Sequence, residues 1–181
     1  MDIALLSSEA INLLQGLIST ESFSRQEDST ANIIESFLSK KKVEVLRLKN
    51  NVWAKSKYFD SQKPAILLNS HHDTVKPNPG YTRNPFEATI EEGKLYGLGS
   101  NDAGGCLVSL LATFLYYYER TDLKYNLVFA ATAEEEISEE WHRKCPAFFT
   151  KDRPGDCGRT NIDEPGHRRE RLAGTGLYSN R

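Results

Sequence analysis

Between Ile3 and Ser19 the apolar residues fall at helical spacing, with Ile3, Leu6, Ile11, Leu14, Leu17 and Ile18 on one face, so a helix is predicted there. A second helix is expected to begin at Asp28-Ser29-Thr30, whose side chains can cap it, and to bury Ile33, Ile34, Phe37 and Leu38. Val43 to Leu48 alternates apolar and polar residues as a strand does, and Asn51 to Lys57 reads as its partner across an Asn-rich turn. Ala65 to Leu68 is a short apolar run suited to a buried strand, and Pro77 to Pro85 is a turn-rich surface loop. Leu107 to Tyr118 is apolar nearly all round, the mark of a helix packed between layers, and Leu127 to Ala131 reads as another buried strand. Strands alternating with helices predict an α/β fold, a mostly parallel mixed sheet with helices on both faces.

The pattern breaks at about Ser138. The last 43 residues hold 3 Ile, Leu or Val residues against 32 in the first 138, together with 7 of the 11 arginines and two of the three cysteines. A segment so poor in aliphatics cannot offset its ordering entropy by burial, so residues 139–181 are expected to be unstructured, with the folded unit ending near 138.

Composition narrows the function classes. A formal net charge of −2 over 181 residues offers no electrostatic reason to bind nucleic acid or an anionic membrane. Three cysteines make no disulfide framework, and none forms a Cys-x-x-Cys pair. No basic region precedes an apolar stretch at the N-terminus, and no apolar run approaches the roughly 20 residues that span a bilayer. The expectation is a soluble, cytoplasmic protein.

Three clusters can carry chemistry. His71-His72-Asp73 follows the Ala65 strand, and a carboxylate two residues from an imidazole can hold that ring's second N–H and fix its metal-binding tautomer. His72, between them, points to the other face. Asp102 lies in a glycine-rich turn before the Leu107 helix. It occupies the place of the third glycine of a dinucleotide fingerprint and would repel a pyrophosphate, so that reading fails; a helix-capping Asp is the plain alternative. Glu134-Glu135-Glu136 follows the Leu127 strand. Such a run is ordinarily a solvated loop, yet adjacent like charges at a strand's carboxyl end are relieved by a bound cation. All three clusters follow predicted strands, where open α/β sheets build their sites. Imidazole plus carboxylates suits zinc, cobalt or manganese.

Ser70-His-His-Asp-Thr-Val75, Gly97-Leu-Gly-Ser-Asn-Asp-Ala-Gly-Gly105 and Thr132-Ala-Glu-Glu-Glu136 resemble the motifs of the acetylornithine deacetylase/succinyl-diaminopimelate desuccinylase metallohydrolases, relatives of aminoacylases and carboxypeptidases. Ser22-Phe-Ser-Arg-Gln-Glu27 and Pro85-Phe86 with Gly93-Lys-Leu-Tyr-Gly97 are similar too, and the likeness covers about residues 3–138. The resemblance implies a zinc exopeptidase-like catalytic domain holding two divalent ions, zinc or cobalt. His71 and Glu136 would each bind one ion and Asp102 would bridge both. Asp73 would support His71, and Glu135 would be the general base. It further implies hydrolysis of the amide bond of a small N-acyl amino acid, closest to the acetylornithine deacetylase branch and hence to arginine biosynthesis.

The family also uses a carboxylate in a downstream Gly-Glu-Pro-Thr type motif, a histidine near the end of a longer chain, and an inserted lid domain through which it dimerises. None is recognisable here. Glu164-Pro165 lies 28 residues after Glu136 but lacks a preceding apolar strand. The expectation is that residues from about Glu139 onward are an out-of-frame reading of the family's continuation, which codon degeneracy permits. Shifted one base forward, the codons of Glu139 to Trp141 permit Lys-Asn-Gly, and those of Lys151 to Ile162 permit Lys-Ile-Asp-Leu-Ala-Ile-Val-Gly-Glu-Pro-Thr. With two ligands missing, the expectation is weak metal binding, little hydrolysis and a poorly covered Leu127–Ala131 strand. Two other readings stand beside it: a non-catalytic metal-binding or interaction domain with a genuine disordered tail, and a small hydrolase using Glu164 or His167.

Overall fold

The computed structural model describes residues 2–137. The expectations for residues 139–181, including Glu164 and His167, lie outside the described residues.

Helix α1 (Ile3–Ile18) is capped by Asp2, whose carboxylate accepts the Ala4 N–H at 2.9 Å. Its buried stripe is Leu6, Ala10, Leu13, Leu14, Leu17 and Ile18. Ile3 and Ile11, expected on that face, are 63% and 46% exposed, because they flank the stripe that meets the core. Helix α2 (Asp28–Lys40) starts where the sequence places it but without a side-chain cap. Glu27 takes the N-cap position, and Thr30 turns inward, its hydroxyl 3.0 Å from the Glu27 carbonyl oxygen and 2.9 Å from His72 Nδ1.

Strands β1 (Val45–Leu48) and β2 (Asn51–Lys55) form the expected hairpin. After β3 (Ala65–His71) the chain makes a small exposed hairpin, β4 (Thr89–Glu91) and β5 (Lys94–Tyr96), which the hydrophobic pattern does not reveal because each strand has only three residues. Its turn, Glu92-Gly93, has positive φ at both residues, the geometry that matches strand twist. Helix α3 (Cys106–Tyr117) then crosses to β6 (Asn126–Thr132).

The main sheet has the order β1-β2-β6-β3 and is mixed. Among the described strands only β3 and β6 pair in parallel, joined by the α3 crossover; β1–β2 and β2–β6 are antiparallel, so the parallel share there is smaller than expected. All three helices pack on one face, against Val52, Ala54, Leu127, Phe129 and Ala131. On the other face Trp53, Val128 and Ala130 are buried, and among the described residues no helix lies on it. Strand β6 corrects an expectation. Rather than poorly covered, it is an interior strand, flanked by β2 and β3, with all seven residues buried. Among the described strands β1 and β3 are the outer ones, and the Ala65–Leu68 run of β3, expected to be buried, leaves Ile66 37% exposed because it lies at that edge. Among the described residues no helix is long and apolar enough to cross a membrane.

Candidate metal centre

Parallel pairing of β3 with β6 sets His71 opposite Thr132, so the loops after both strands leave from the same edge of the sheet. A third segment reaches that edge. The irregular turn Ser100–Gly105 leads into α3, and the Ser70 hydroxyl donates to the Ala103 carbonyl at 3.4 Å. Glycines let this turn pass close to α1. Gly99 has φ +74°, and a Cβ on Gly104 would lie 2.6 Å from both the Gly99 carbonyl oxygen and Leu14 Cδ1. The glycine run is thus a packing requirement. Asp102 sits in extended backbone within it, at φ −117° and ψ 101°.

These segments bring the proposed ligands together. His71, Asp102 and Glu136 each offer a ligand atom, and the three atoms lie within 4.8 Å of one another. His71 Nε2 is 3.3 Å from Asp102 Oδ1 and 3.9 Å from Glu135 Oε2. Its Nδ1 faces Asp73, 3.1 Å from the main-chain carbonyl oxygen and 3.4 Å from Oδ1. Asp73 occupies the inner wall at 1% exposure. Its Oδ2 accepts the Ser24 hydroxyl at 2.7 Å and the Glu136 N–H at 3.1 Å, and its Oδ1 accepts the Glu135 N–H at 3.1 Å.

The electrostatics follow from this wiring. Burial is the largest influence on Asp73 and acts to raise its pKa. It is outweighed by hydrogen bonds from His71, Ser24, Glu136 and Glu135, which hold the carboxyl at about 2. Burial likewise pushes His71 down, but the hydrogen bond and charge of Asp73, with Glu135 adding, raise it to about 9. Burial raises the Glu136 carboxyl; Asp102, Glu135 and Asp73 reinforce the shift while His71 opposes it. Among the described residues no lysine or arginine forms an ion pair with Asp102, Glu135 or Glu136. An imidazole nitrogen held toward crowded carboxylates that neither lysine nor arginine neutralises is a donor set that fits a divalent cation.

Behind this wall lies a buried network that the residue pattern did not disclose. His72 points away from the ligands: its Nε2 is 2.9 Å from the Asn50 carbonyl oxygen and its Nδ1 2.9 Å from the Thr30 hydroxyl. Burial lowers its pKa, so the neutral ring donates from Nε2 and accepts at Nδ1. Glu27 is 0% exposed. Of Ser24, Glu27, Thr30 and Asn50, the sequence marked Ser24 and Glu27 only through the family-like Ser22–Glu27 stretch and Thr30 only as a helix cap.

The family model of "Peptidase family M20/M25/M40" matches residues 67–170. A succinyl-diaminopimelate desuccinylase of Beijerinckia indica is 29% identical over 143 residues, 72% of this chain and 37% of that protein. An acetylornithine deacetylase of Shigella sonnei is 46% identical over 74 residues, 40% of this chain and 19% of that protein. The M20 family metallo-carboxypeptidase Sso-CP2 of Sulfolobus solfataricus superposes with a TM-score of 0.61 at 26% identity, covering 76% of this chain and 32% of that one. The chain therefore spans roughly a third or less of the length of each of these three proteins.

Proposed function

Because this chain belongs to peptidase family M20/M25/M40, we propose that it carries the N-terminal part of a metal-dependent hydrolase acting on the amide bond of N-acyl amino acids. The observation that carries the reading is the convergence of His71, Asp102 and Glu136 within 4.8 Å, beside Glu135. His71 through Nε2, Asp102 and Glu136 would hold the metal, and Asp102 would be the ligand shared if two ions, zinc or cobalt, were bound. A divalent ion there supplies Lewis acidity, polarising an amide carbonyl and acidifying water.

The chain's own groups do the rest. Asp73 holds His71 Nδ1 and so keeps Nε2 turned to the ligand cluster. Glu135 takes a proton from the attacking water onto a carboxylate oxygen and returns it to the amine nitrogen as the C–N bond breaks. Water's oxygen thereby ends on the acyl carbon, and the amino acid leaves with a free amine. The Shigella relative favours acetylornithine as the substrate, and with it a role in arginine biosynthesis.

We further propose that the 181-residue chain by itself binds metal weakly and hydrolyses little. Among the described residues a two-ion site would have two protein contacts per ion, short of the three usual in catalytic zinc sites. The shifted frame after Glu139 would encode the absent carboxylate motif, and the lid and its dimer interface would come later still. The test is a cobalt titration followed by acetylornithine hydrolysis, on this chain and on the chain continued in the shifted frame. Weak binding without turnover in the first, and turnover in the second, is expected. Robust turnover by the first overturns the proposed inactivity, and no metal uptake by either overturns the metal site.

A further inference from the structure

Four consecutive backbone N–H groups after β6 are each received by a side-chain oxygen from elsewhere in the chain. Ala133 donates to Asn51 Oδ1 at 3.1 Å and Glu134 to Glu27 Oε1 at 3.1 Å. Glu135 and Glu136 donate to the two oxygens of Asp73, each at 3.1 Å. The loop has no regular secondary structure to hold it, and Glu134 adopts φ +62°, a conformation unfavourable for a residue with a side chain. Its shape is therefore imposed by these acceptors. Two of them, Glu27 and Asp73, are fully buried carboxylates, and one segment serves both: Ser24 donates to Asp73, and Glu27 lies three residues on.

Glu27 has no use in the proposed hydrolysis, and a buried carboxylate is costly unless its lone pairs are filled. They are filled by the Arg25 N–H at 2.7 Å, the Asn50 Nδ2–H at 2.8 Å and the Glu134 N–H, with the carboxylate at the N-terminus of α2. We propose that Glu27 is a positioning residue that locks the backbone turn at Glu134 and thereby aims Glu135 and Glu136 at His71 and Asp102. It acts through the main chain rather than on any ligand atom. In its metal-affinity consequence the inference rests on the function proposed above, but its structural consequence stands without it.

The experiment measures amide hydrogen exchange in the metal-free 181-residue chain, then cobalt affinity and the cobalt absorption band. In Glu27→Leu, exchange at Glu134 to Glu136 rises about tenfold, the worth of one lost buried hydrogen bond, while Phe129 in β6 keeps its protection. Cobalt affinity falls about tenfold with an unchanged absorption band, since the ligands are the same. Glu27→Gln restores both, because its Oε1 still receives the Glu134 N–H while Asn50 turns its own oxygen toward the new amide. Glu27→Asp keeps the charge but withdraws it by one methylene; it shows the Leu pattern to a smaller degree and decides the matter where Glu27→Leu does not fold. Wild-type loop exchange in Glu27→Asp and Glu27→Leu, or loss of protection uniformly across β6 and the loop, overturns the proposal. Absence of cobalt uptake by the wild-type chain counts against the hydrolase reading, and the exchange pattern then decides Glu27 alone.

Discussion

The Glu136 N–H donates to Asp73 Oδ2 at 3.1 Å, joining residues 63 positions apart. The same carboxylate faces His71 Nδ1, so one buried side chain sets both the orientation of an imidazole and the course of the acidic loop. Asp73 is therefore more than a partner for one histidine.

Replacing Asp73 by Asn would set an amide N–H₂ against a backbone donor and leave His71 without its anion. Cobalt affinity is expected to fall about 10–100-fold. Stability should fall by about 3–5 kcal/mol, as for a buried pair broken on one side. Calorimetric titration and urea unfolding measure the two effects, and near wild-type values in both would refute the dual role.

The His71–Asp73 pair gives the metal-free chain a pH signature. His71 is raised from 6.5 to about 9, so its contribution is complete below pH 6.5 and is lost as pH rises through 9. Asp73 is lowered from 3.8 to about 2, so its contribution is complete above pH 3.8 and is lost as pH falls through 2. The urea midpoint should be lower at about pH 9.5 than at about pH 5.5. Saturating zinc should lessen that alkaline loss, because a ligated His71 is already unprotonated. Equal midpoints without metal would show that the pair contributes nothing.

Metal that binds only the folded chain should stabilise it. At a hundredfold excess over its Kd, zinc is expected to add about 2.7 kcal/mol. The thermal midpoint of wild-type protein should climb with zinc concentration, while His71→Ala and Glu136→Ala stay flat. A zinc-dependent rise that survives both substitutions would place the ion elsewhere.

Two glycines should respond in opposite directions to the same change. A Cβ on Gly104 meets Gly99 and Leu14 at 2.6 Å, so Gly104→Ala should cost about 1–3 kcal/mol. Gly16 lies within α1, where an added methyl would meet nothing within 4 Å, so Gly16→Ala should add about 0.5–1 kcal/mol. Chemical denaturation of the two variants compares them directly.

Periodicity located α1, α2, α3, the β1–β2 hairpin, β3 and β6, because each carries enough apolar residues at helical or strand spacing to leave a pattern in the chain. It missed β4 and β5, which are too short and exposed to carry one. Residue chemistry and order marked His71-His72-Asp73, Asp102 and Glu134-Glu135-Glu136 as candidate clusters, and the family resemblance singled out His71, Asp73, Asp102, Glu135 and Glu136 within them.

Which residues have the chemistry, and which segments form the longer helices and strands, could be read from the chain alone, because both are local properties of residue type and spacing. That the three clusters meet could not. Their meeting depends on the parallel register of His71 with Thr132 and on the glycine turn closing against Leu14, both contacts between distant segments. The burial of Glu27, and its service to the loop at Glu134 107 residues away, likewise came only with the folded arrangement, since burial of a carboxylate follows from what packs around it rather than from its neighbours in the chain.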